Sequence, residues 1–449
     1  MKKLHIGMNR DMSSSFLDLR MANRHGLIAG ATGTGKTVTL QSIAEQFSEA
    51  GVPVFATDIK GDLSGIGHTG KFNDALRNRA RDLGIEPYEP KAYPTRTWDL
   101  FGEHGEQIKA SVKDIGPLIM ARLMGLTPTQ ASVLNVIYLM CEKRNMPLNS
   151  LDDFRDALSY AYENAAQVST DFGYVSPSTI GIVQRGIATL ENQGGVQFFG
   201  VPEFDVRDLM QTSDGLGVVN LLAAETLMSS PQVYAGFIMW LMQKLFATLP
   251  EVGDPEKPKI VFFFDEAHLL FQDAPRQLLV TIERVVRLIR SKGVGIYFVT
   301  QSPTDIPDAV LSQLGNRYQH ALRAFTAKDQ RAVKAAADTF RPNPEFDTKD
   351  EITTLGKGEA LVSTLNSNAT PSMVEVVKIR PPRSHIGPVE GHPPAPTPKP
   401  TQPTQRHHGG SPAPSGSLPG DYQFLKTAEV LGVLLIGVLI GVGLTLIMT

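Results

Sequence analysis

The sequence has little cysteine and no excess of positive charge. Cys141 is the single cysteine among 449 residues, which excludes an intramolecular disulfide and fits a reducing compartment. The formal net charge is −3 at pH 7, so any contact with nucleic acid must come from a local basic patch. The N-terminus has no apolar run of the kind that forms a secretory signal, and we expect the N-terminal body to stay in the cytoplasm.

One long apolar run lies at the C-terminus. Residues 428–448 contain one acidic residue, Glu429, and then an uninterrupted apolar stretch about long enough to cross a bilayer. The alternative, a buried helix of the core, should show a polar face, and this run has none. We therefore predict a transmembrane tail anchor over residues 424–448, which would hold a cytoplasmic body at the inner membrane.

A proline-rich segment precedes this run. Residues 381–420 hold twelve of the chain's thirty-one prolines and almost no large apolar side chains. Such a segment buries too little apolar surface to fold, so we predict a disordered linker there.

The remaining body has the pattern of an α/β protein. Short apolar runs bounded by turn residues are typical of buried parallel strands, and helical patterns follow most of them, for example over residues 38–50 and 277–291. This alternation predicts a doubly wound, mostly parallel sheet. We expect its strands at residues 26–29, 52–57, 217–222, 260–264, 295–300 and 319–324.

One stretch interrupts the alternation. Residues 105–193 show helical patterns, for example over residues 129–144 and 151–165, and no convincing strand. We predict an all-helical insertion there. It would divide the α/β core into a first part, residues 1–104, and a second part, residues 194–380.

The first strand leads into a phosphate-binding motif. Residues 30–37 read Gly-Ala-Thr-Gly-Thr-Gly-Lys-Thr, the Walker A pattern, with a strand before it and a helix after it. Glycines let successive backbone N–H groups surround a phosphate at a helix N-terminus, while Lys36 would reach the β- and γ-phosphates and Thr37 would bind Mg²⁺. The nucleotide-binding residues predicted in this way are Gly30, Ala31, Thr32, Gly33, Thr34, Gly35, Lys36, Thr37 and Val38.

A pair of acidic residues completes the Walker pattern. Asp265 and Glu266 directly follow the apolar residues 260–264, so a buried strand would deliver them to the same edge of the sheet. Asp265 would act on Mg²⁺ and Glu266 would polarise the attacking water as general base. The alternative, two acids that merely cap a helix, explains neither the strand nor the P-loop upstream. No Asn-Lys-x-Asp motif for guanine is present, which favours an ATP hydrolase over a GTPase.

Several polar residues near the ends of strands are further candidates. Gln301 follows the strand predicted at residues 295–300 and is the expected sensor of the γ-phosphate, although an ordinary turn before Pro303 would read the same way. In a turn after the second strand, Asp58, Lys60 and Asp62 also line the expected site by position, and Asp62 equally suits a helix N-cap.

Arginines form the last group of candidates. Arg284, Arg287 and Arg290 recur every three residues with Lys292 close by, which suits either a solvated helix face or a surface that contacts a substrate or neighbour. Arg317 and Arg323 flank the last predicted strand and are candidate arginine fingers for a neighbouring subunit's ATP. The sequence does not choose between them.

Taken together, these blocks resemble a known family. The Walker A motif with residues 58–63 (Asp-Ile-Lys-Gly-Asp-Leu), residues 263–271, residues 286–295 and residues 313–317 resemble the YjgR-type branch of the HerA-like ATPases, in the HerA/FtsK superfamily. The resemblance covers about residues 4–377. It implies a RecA-like core, a ring that is typically hexameric, and use of ATP and Mg²⁺ to translocate DNA. It also implies catalytic roles for Lys36, Thr37, Asp265, Glu266 and Gln301.

Two functions therefore stand as expectations. The first is a ring-forming ATPase, anchored by its C-terminus, that moves DNA. The second is a membrane-tethered P-loop ATPase that remodels or regulates a protein complex without nucleic acid. The low net charge favours the second function, and the ridge of arginines favours the first.

Overall fold

The computed structural model describes residues 2–71, 73–225, 227, 230–272 and 276–389. These residues lie in one compact unit, Met1–Thr397. The second unit, Pro398–Thr449, lies outside the described residues.

Fourteen strands are formed in the described residues. Their bounds are β1 (Lys3–Asn9), β2 (Ser14–Asp18), β3 (Gly26–Ala29), β4 (Val54–Asp58), β5 (Thr95–Asp99), β6 (Glu106–Gln107), β7 (Thr212–Ser213), β8 (Leu216–Gly217), β9 (Val219–Ala223), β10 (Ile260–Phe264), β11 (Val294–Thr300), β12 (Asn316–Gln319), β13 (Glu359–Ser363) and β14 (Glu375–Ile379).

Fourteen α-helices accompany them. Their bounds are α1 (Lys36–Glu49), α2 (Asp74–Asp82), α3 (Val112–Leu123), α4 (Pro128–Arg144), α5 (Leu151–Glu163), α6 (Ala165–Asp171), α7 (Pro177–Asn192), α8 (Gly195–Phe198), α9 (Pro231–Thr248), α10 (His268–Phe271), α11 (Arg276–Ile289), α12 (Asp308–Leu311), α13 (Ala327–Ala337) and α14 (Thr348–Thr354).

Twelve of the strands form one sheet in the order β2-β1-β14-β13-β12-β3-β11-β10-β4-β9-β5-β6. The eight strands from β12 to β6 are parallel, and the four at the other end pair antiparallel. The predicted α/β fold with a large, mostly parallel sheet is therefore confirmed. Strand β3 lies in the middle of the sheet, between β12 and β11.

The central strands are apolar throughout because both faces of the sheet are covered. Along β10, Phe262 and Phe264 face the core that the sheet shares with α3–α9, whereas Phe263 faces the core that it shares with α1. On the α1 side, the ring of Phe263 packs 5.2 Å from that of Tyr297, measured between centroids. Alternate residues of one strand thus serve two cores, which explains a continuous apolar run in place of a polar alternation.

Two strand predictions need correction, and strands β1, β2, β5, β6, β7, β13 and β14 were not predicted. The strand expected at residues 319–324 is instead β12, Asn316–Gln319. Beyond it, His320 N still donates to Ala29 O at the end of β3, but Leu322 N donates to Ile352 O, outside the sheet. The strand expected at residues 217–222 is divided into β8 and β9. Strand β5, Thr95–Asp99, was not predicted and pairs with β9.

The stretch predicted to be helical, residues 105–193, begins with the short strand β6 and continues as α3 to α7. These helices share a core with α9 and with one face of the sheet. Leu123 of α3 packs so closely on Gly236 of α9 that a Cβ at residue 236 would lie 2.4 Å from the leucine. The limits of a separate helical insertion remain a prediction.

Residues 381–389 were predicted to be part of a disordered linker, and the structure differs. Backbone N–H groups of Arg383 and Ser384 donate to the buried carboxylate of Glu45 on α1, and Gln41 donates to Ser384 Oγ at 2.6 Å. Farther on, Val389 N donates to Ser64 Oγ at 3.0 Å. We call residues 381–389 the C-terminal strap. Its polar atoms have partners on α1 and in the segments after β4, which composition alone does not reveal.

The remainder of that linker, residues 390–420, and the predicted tail anchor, residues 424–448, lie outside the described residues. Within the part of the chain that is described, no helix combines the length and the apolar character needed to cross a membrane.

Candidate nucleotide site

The loop between β3 and α1 has the backbone of a phosphate-binding loop. Gly33 and Gly35 adopt φ values of +78° and +117°, a region that glycine enters without steric cost. Gly30 N donates to Thr300 O of β11, and Ala31 N donates to Ala321 O two residues after β12, so both neighbouring chain segments hold the start of the loop. Helix α1 then begins at Lys36 with no side-chain cap. Its first N–H groups therefore suit an anion.

Lys36 turns back into this loop. Its Nζ atom donates to Gly30 O at 2.7 Å and to Ala31 O at 3.2 Å. Burial lowers the pKa of Lys36, while the negative charges of Glu266 and Asp265 oppose that shift. The ammonium group is thus held among the loop carbonyls and close to both acids. Thr37 and Val38 follow in the first turn of α1 and are half-buried.

A buried histidine supports the loop from beneath. His320 N donates to Ala29 O, and its Nε2 atom lies 2.9 Å from Thr39 Oγ1 on α1. A Cβ at Gly30 would lie 2.5 Å from His320 Cβ, so glycine is required there. Burial lowers the pKa of His320 to about 4, and its imidazole is neutral at pH 7. No motif in the sequence indicates this residue, because a lone histidine after a strand is common.

Asp265 lies at the end of β10 beside a second buried acid. Its backbone N donates to Thr57 Oγ1 at 2.9 Å, and Tyr234 donates to the same hydroxyl at 3.2 Å. Burial raises the pKa of Asp265 to about 6, with a further contribution from the charge of Glu266, while Lys60 and Lys36 lower it. Burial likewise raises the pKa of Asp58 to about 7. A cation bound near Asp265 and Asp58 would therefore be stabilised, because it would offset the cost of burying two carboxylates.

Glu266 is the most constrained residue of the site. Its φ of +46° is uncommon for a residue other than glycine, and the residue is 4% exposed. Lys60 Nζ lies 2.6 Å from Oε1, and Oε2 lies 3.4 Å from Gln301 Nε2 and 3.3 Å from His268 Nδ1. Burial alone would raise the pKa of Glu266, but the Lys60 and Gln301 contacts bring it below its usual value. The carboxylate is therefore ionised at pH 7.

The structure thus brings together residues from four strand ends. Gln301, the predicted sensor, follows β11 and contacts Glu266, and Lys60 follows β4. His268 also contacts Glu266, although the sequence analysis did not single it out. Its position two residues after Glu266, at the start of a helix, was an available signal. Asp62, the other acid predicted to line the site, contributes to the charge around Lys60 and Asp58.

A cavity of about 1050 Å³ opens next to the loop. Ala31, Thr32 and Gln301 line it on one side, and Arg323 and the exposed Phe325 line it on the other. Arg323 also donates to Thr353 O at 2.7 Å. Of the two candidate arginine fingers, Arg323 is the one that borders this cavity.

Arg317, the other candidate, bonds to the backbone and does not border this cavity. It lies within β12 and does not flank the strand as expected, and its guanidinium donates to three backbone carbonyls, those of Leu311, Leu314 and Thr339. Those contacts hold the chain after α12 and after α13. Because these bonds from Nε, Nη1 and Nη2 hold the guanidinium against the backbone, the geometry does not favour an arginine finger at this position.

Arg290 lies far from the loop. It precedes β11, whereas Gln301 follows it, and the seven residues of that strand separate its ends by about 20 Å. Arg290 pairs with Asp254, with 3.3 Å between Nη2 and Oδ1. On α11, Arg284 and Arg287 are exposed, and Arg287 lies 3.9 Å from Glu283. Arg290, at the end of this ridge, therefore lies at the edge of the sheet opposite the phosphate loop.

The residues present fit ATP with Mg²⁺. Mg²⁺ is commonly held by one or two carboxylates together with substrate phosphates and water, and Asp265 with the hydroxyl of Thr37 supplies such a limited set. The uncapped helix start and the ammonium of Lys36 supply the complement for the phosphates.

Comparison with known proteins places this geometry in a family. The DNA import protein CedB of Sulfolobus acidocaldarius is 23% identical over 366 residues, which cover 77% of this chain and 51% of CedB. The DNA double-strand break repair helicase HerA of Pyrococcus furiosus is 28% identical over 123 residues, which cover 27% of this chain and 20% of HerA. The chain therefore spans about half the length of CedB and less of HerA.

Two solved structures are similar in fold. The bacterial conjugative coupling protein TrwB, lacking its N-terminal part, has a TM-score of 0.56 at 12% identity, over 84% of this chain and 89% of TrwB. VirB4 of Thermoanaerobacter pseudethanolicus has a TM-score of 0.56 at 15% identity, over 84% of this chain and 96% of VirB4.

The family of this chain is shown by a match that covers most of its length. The family described as helicase HerA-like C-terminal matches residues 3–395, which includes every residue of the site described above. The chain belongs to the helicase HerA-like C-terminal family.

Proposed function

We propose that this chain is an ATP hydrolase that couples hydrolysis to the movement of DNA, working as a ring of identical subunits. The observation that carries the hydrolase part is the environment of Glu266. Its ionised carboxylate is buried, contacts the predicted sensor Gln301, and lies close enough to Lys36 of the phosphate loop for their charges to interact.

Each residue has a defined part in the proposed reaction. Lys36 and the N–H groups at the start of α1 bind phosphate oxygens, and Thr37 and Asp265 hold Mg²⁺. When bound, Mg²⁺ neutralises phosphate charge. Glu266 accepts a proton from the attacking water, and Gln301 orients Glu266 and that water. Arg323, on the rim of the cavity, is the proposed contact to a neighbouring subunit's nucleotide.

The DNA part rests on the relatives. CedB is named a DNA import protein and HerA a DNA double-strand break repair helicase, and TrwB is a conjugative coupling protein. For this chain, we propose DNA as the polymer and a hexamer as the ring. We also propose a helical insertion at residues 105–193 and a membrane anchor at residues 424–448.

Two observations favour the alternative, an ATPase that remodels a protein complex without nucleic acid. The formal net charge of −3 offers DNA no overall attraction, and Arg290, which follows α11 and precedes β11, lies at the edge opposite the phosphate loop. The two functions differ in what stimulates hydrolysis.

The decisive experiment measures phosphate release by the purified full-length chain, with and without duplex DNA. We expect turnover that DNA stimulates, with the stimulation lost steeply as salt rises, because phosphate contacts release counterions.

Lys36→Ala should abolish nucleotide binding or turnover. Glu266→Gln should still bind a fluorescent ATP analogue but hydrolyse ATP about 10²–10⁴ times more slowly, the usual effect of losing a general base.

The controls separate the two parts of the proposal. Normal hydrolysis by Glu266→Gln would refute the assignment of the base. Hydrolysis that duplex DNA fails to stimulate even at low salt would refute the motor and leave the protein-remodelling ATPase.

A further inference from the structure

The contact between Lys60 and Glu266 is unequal in its exposure. Lys60 Nζ lies 2.6 Å from Glu266 Oε1, and this is the shortest contact of the carboxylate. The Glu266 side chain is 5% exposed, whereas that of Lys60 is 47% exposed. An external anion can therefore reach the lysine of this pair but not the glutamate.

The pair also restricts what Glu266 can do. The ammonium at 2.6 Å occupies one of the two lone pairs of Oε1, and its charge makes that oxygen a weaker acceptor for the proton of a water molecule. The other oxygen, Oε2, is contacted by Gln301 and His268. The oxygen occupied by Lys60 is thus the one that is freed if a single exposed side chain moves.

Lys60 has alternative anions nearby. Asp62 acts electrostatically on Lys60, and Glu225 lies close enough to the turn that a Cβ at Gly61 would be 2.4 Å from its Oε1 atom. Gly61 has a φ of +72°, so the turn that carries Lys60 uses a conformation open to glycine. These features suit a side chain that exchanges one anionic partner for another.

We infer that Lys60 is a positioning residue that holds Glu266 in an idle arrangement, and that a DNA phosphate at the exposed ammonium draws Lys60 away and frees Oε1 for the water. This inference rests on the proposed function. Its consequence is that hydrolysis is slow without the polymer because of one ion pair within the subunit.

The test compares Lys60→Met with the unaltered full-length chain. Without DNA, kcat should rise about tenfold, the factor that one charge-assisted hydrogen bond is worth, while KM for ATP changes less than about twofold. With saturating duplex DNA the two proteins should turn over at similar rates, so the stimulation by DNA falls. A structural defect would lower both rates and would not produce this pattern.

Two lysine variants serve as controls. Lys60→Arg keeps the charge and a donor and should restore slow basal hydrolysis. Lys71→Met removes another exposed lysine, eleven positions after Lys60 in the chain, and should leave the basal rate unchanged. If Lys60→Met fails to bind a fluorescent ATP analogue, Lys60→Gln provides the same comparison without the charge.

The outcomes separate this inference from the proposed function. An unaltered chain that hydrolyses ATP no faster than Lys36→Ala overturns the proposed function. If the unaltered chain is active but Lys60→Met shows an equal or lower basal rate, the inference alone is overturned. A raised basal rate in a protein that DNA does not stimulate retains the restraint on Glu266 and overturns DNA as the trigger.

Discussion

Arg317 offers a direct test, because sequence and structure suggest different roles for it. The sequence made it a candidate arginine finger, whereas its guanidinium donates to the carbonyls of Leu314 at 3.1 Å, Thr339 at 3.2 Å and Leu311 at 3.0 Å. Leu311 O also accepts from Leu314 N at 3.2 Å, so the loss of Arg317 falls mainly on the carbonyls of Leu314 and Thr339. A buried acceptor without a partner destabilises the fold.

Arg317→Met should therefore reduce stability more than activity. Each hydrogen bond from a charged donor contributes about 1.5–3 kcal/mol, and three from one side chain are not additive, so we expect a loss of about 3 kcal/mol in the free energy of unfolding. Arg323→Met is the matched control, since it removes one bond to Thr353 O at an exposed position, and we expect a loss below about 1 kcal/mol.

The assay is urea unfolding followed by tryptophan fluorescence, alongside ATP hydrolysis per folded protein. We expect Arg317→Met to unfold at lower urea and to retain most of its hydrolysis, while Arg323→Met loses hydrolysis with little change in stability. If Arg317→Met unfolds like the unaltered protein and is inactive, the structural role is wrong and the arginine finger is the better assignment.

Two further predictions concern the C-terminal strap and the tail. Burial raises the pKa of Glu45 from its ordinary 4.5 to about 7. Between these pH values the folded state binds a proton at Glu45 that the unfolded state does not, so the free energy of unfolding falls as pH rises, by about 3 kcal/mol. Glu45→Gln should remove this decline. Urea midpoints at pH 5 and pH 8 check this, and an unchanged difference between them would contradict it. Deleting the residues after Gly420 should move the protein from the membrane pellet to the soluble fraction; continued pelleting would count against the tail anchor.

The sequence predicted what depends on local pattern. The loop at residues 30–37 and the strand before Asp265 are contiguous, and each carries its own apolar run or glycine spacing. Strand β5 was missed because its residues, Thr-Arg-Thr-Trp-Asp, mix polar and aromatic side chains and do not form an apolar run. The strand lies next to last in the sheet, between β9 and β6. Its burial depends on neighbours that are distant in sequence.

The contacts of the site were beyond the sequence for the same reason. Lys60 and Glu266 are 206 positions apart, and nothing in either segment encodes a distance of 2.6 Å between their atoms. Arg317 illustrates the converse, since its position near a strand end suggested chemistry until its three carbonyl partners were known. Position along the chain predicted which edge a residue occupies but not what its side chain bonds to.

The C-terminal strap has a mechanical consequence. The chain beyond Val389 leaves from a segment that is fastened to α1 through Glu45 and Gln41, and α1 is the helix that begins with Lys36. A force applied to the chain beyond Val389 would act directly on the hydrogen bonds between the C-terminal strap and α1. Tension and nucleotide would therefore act on one helix, from its side and from its N-terminal end.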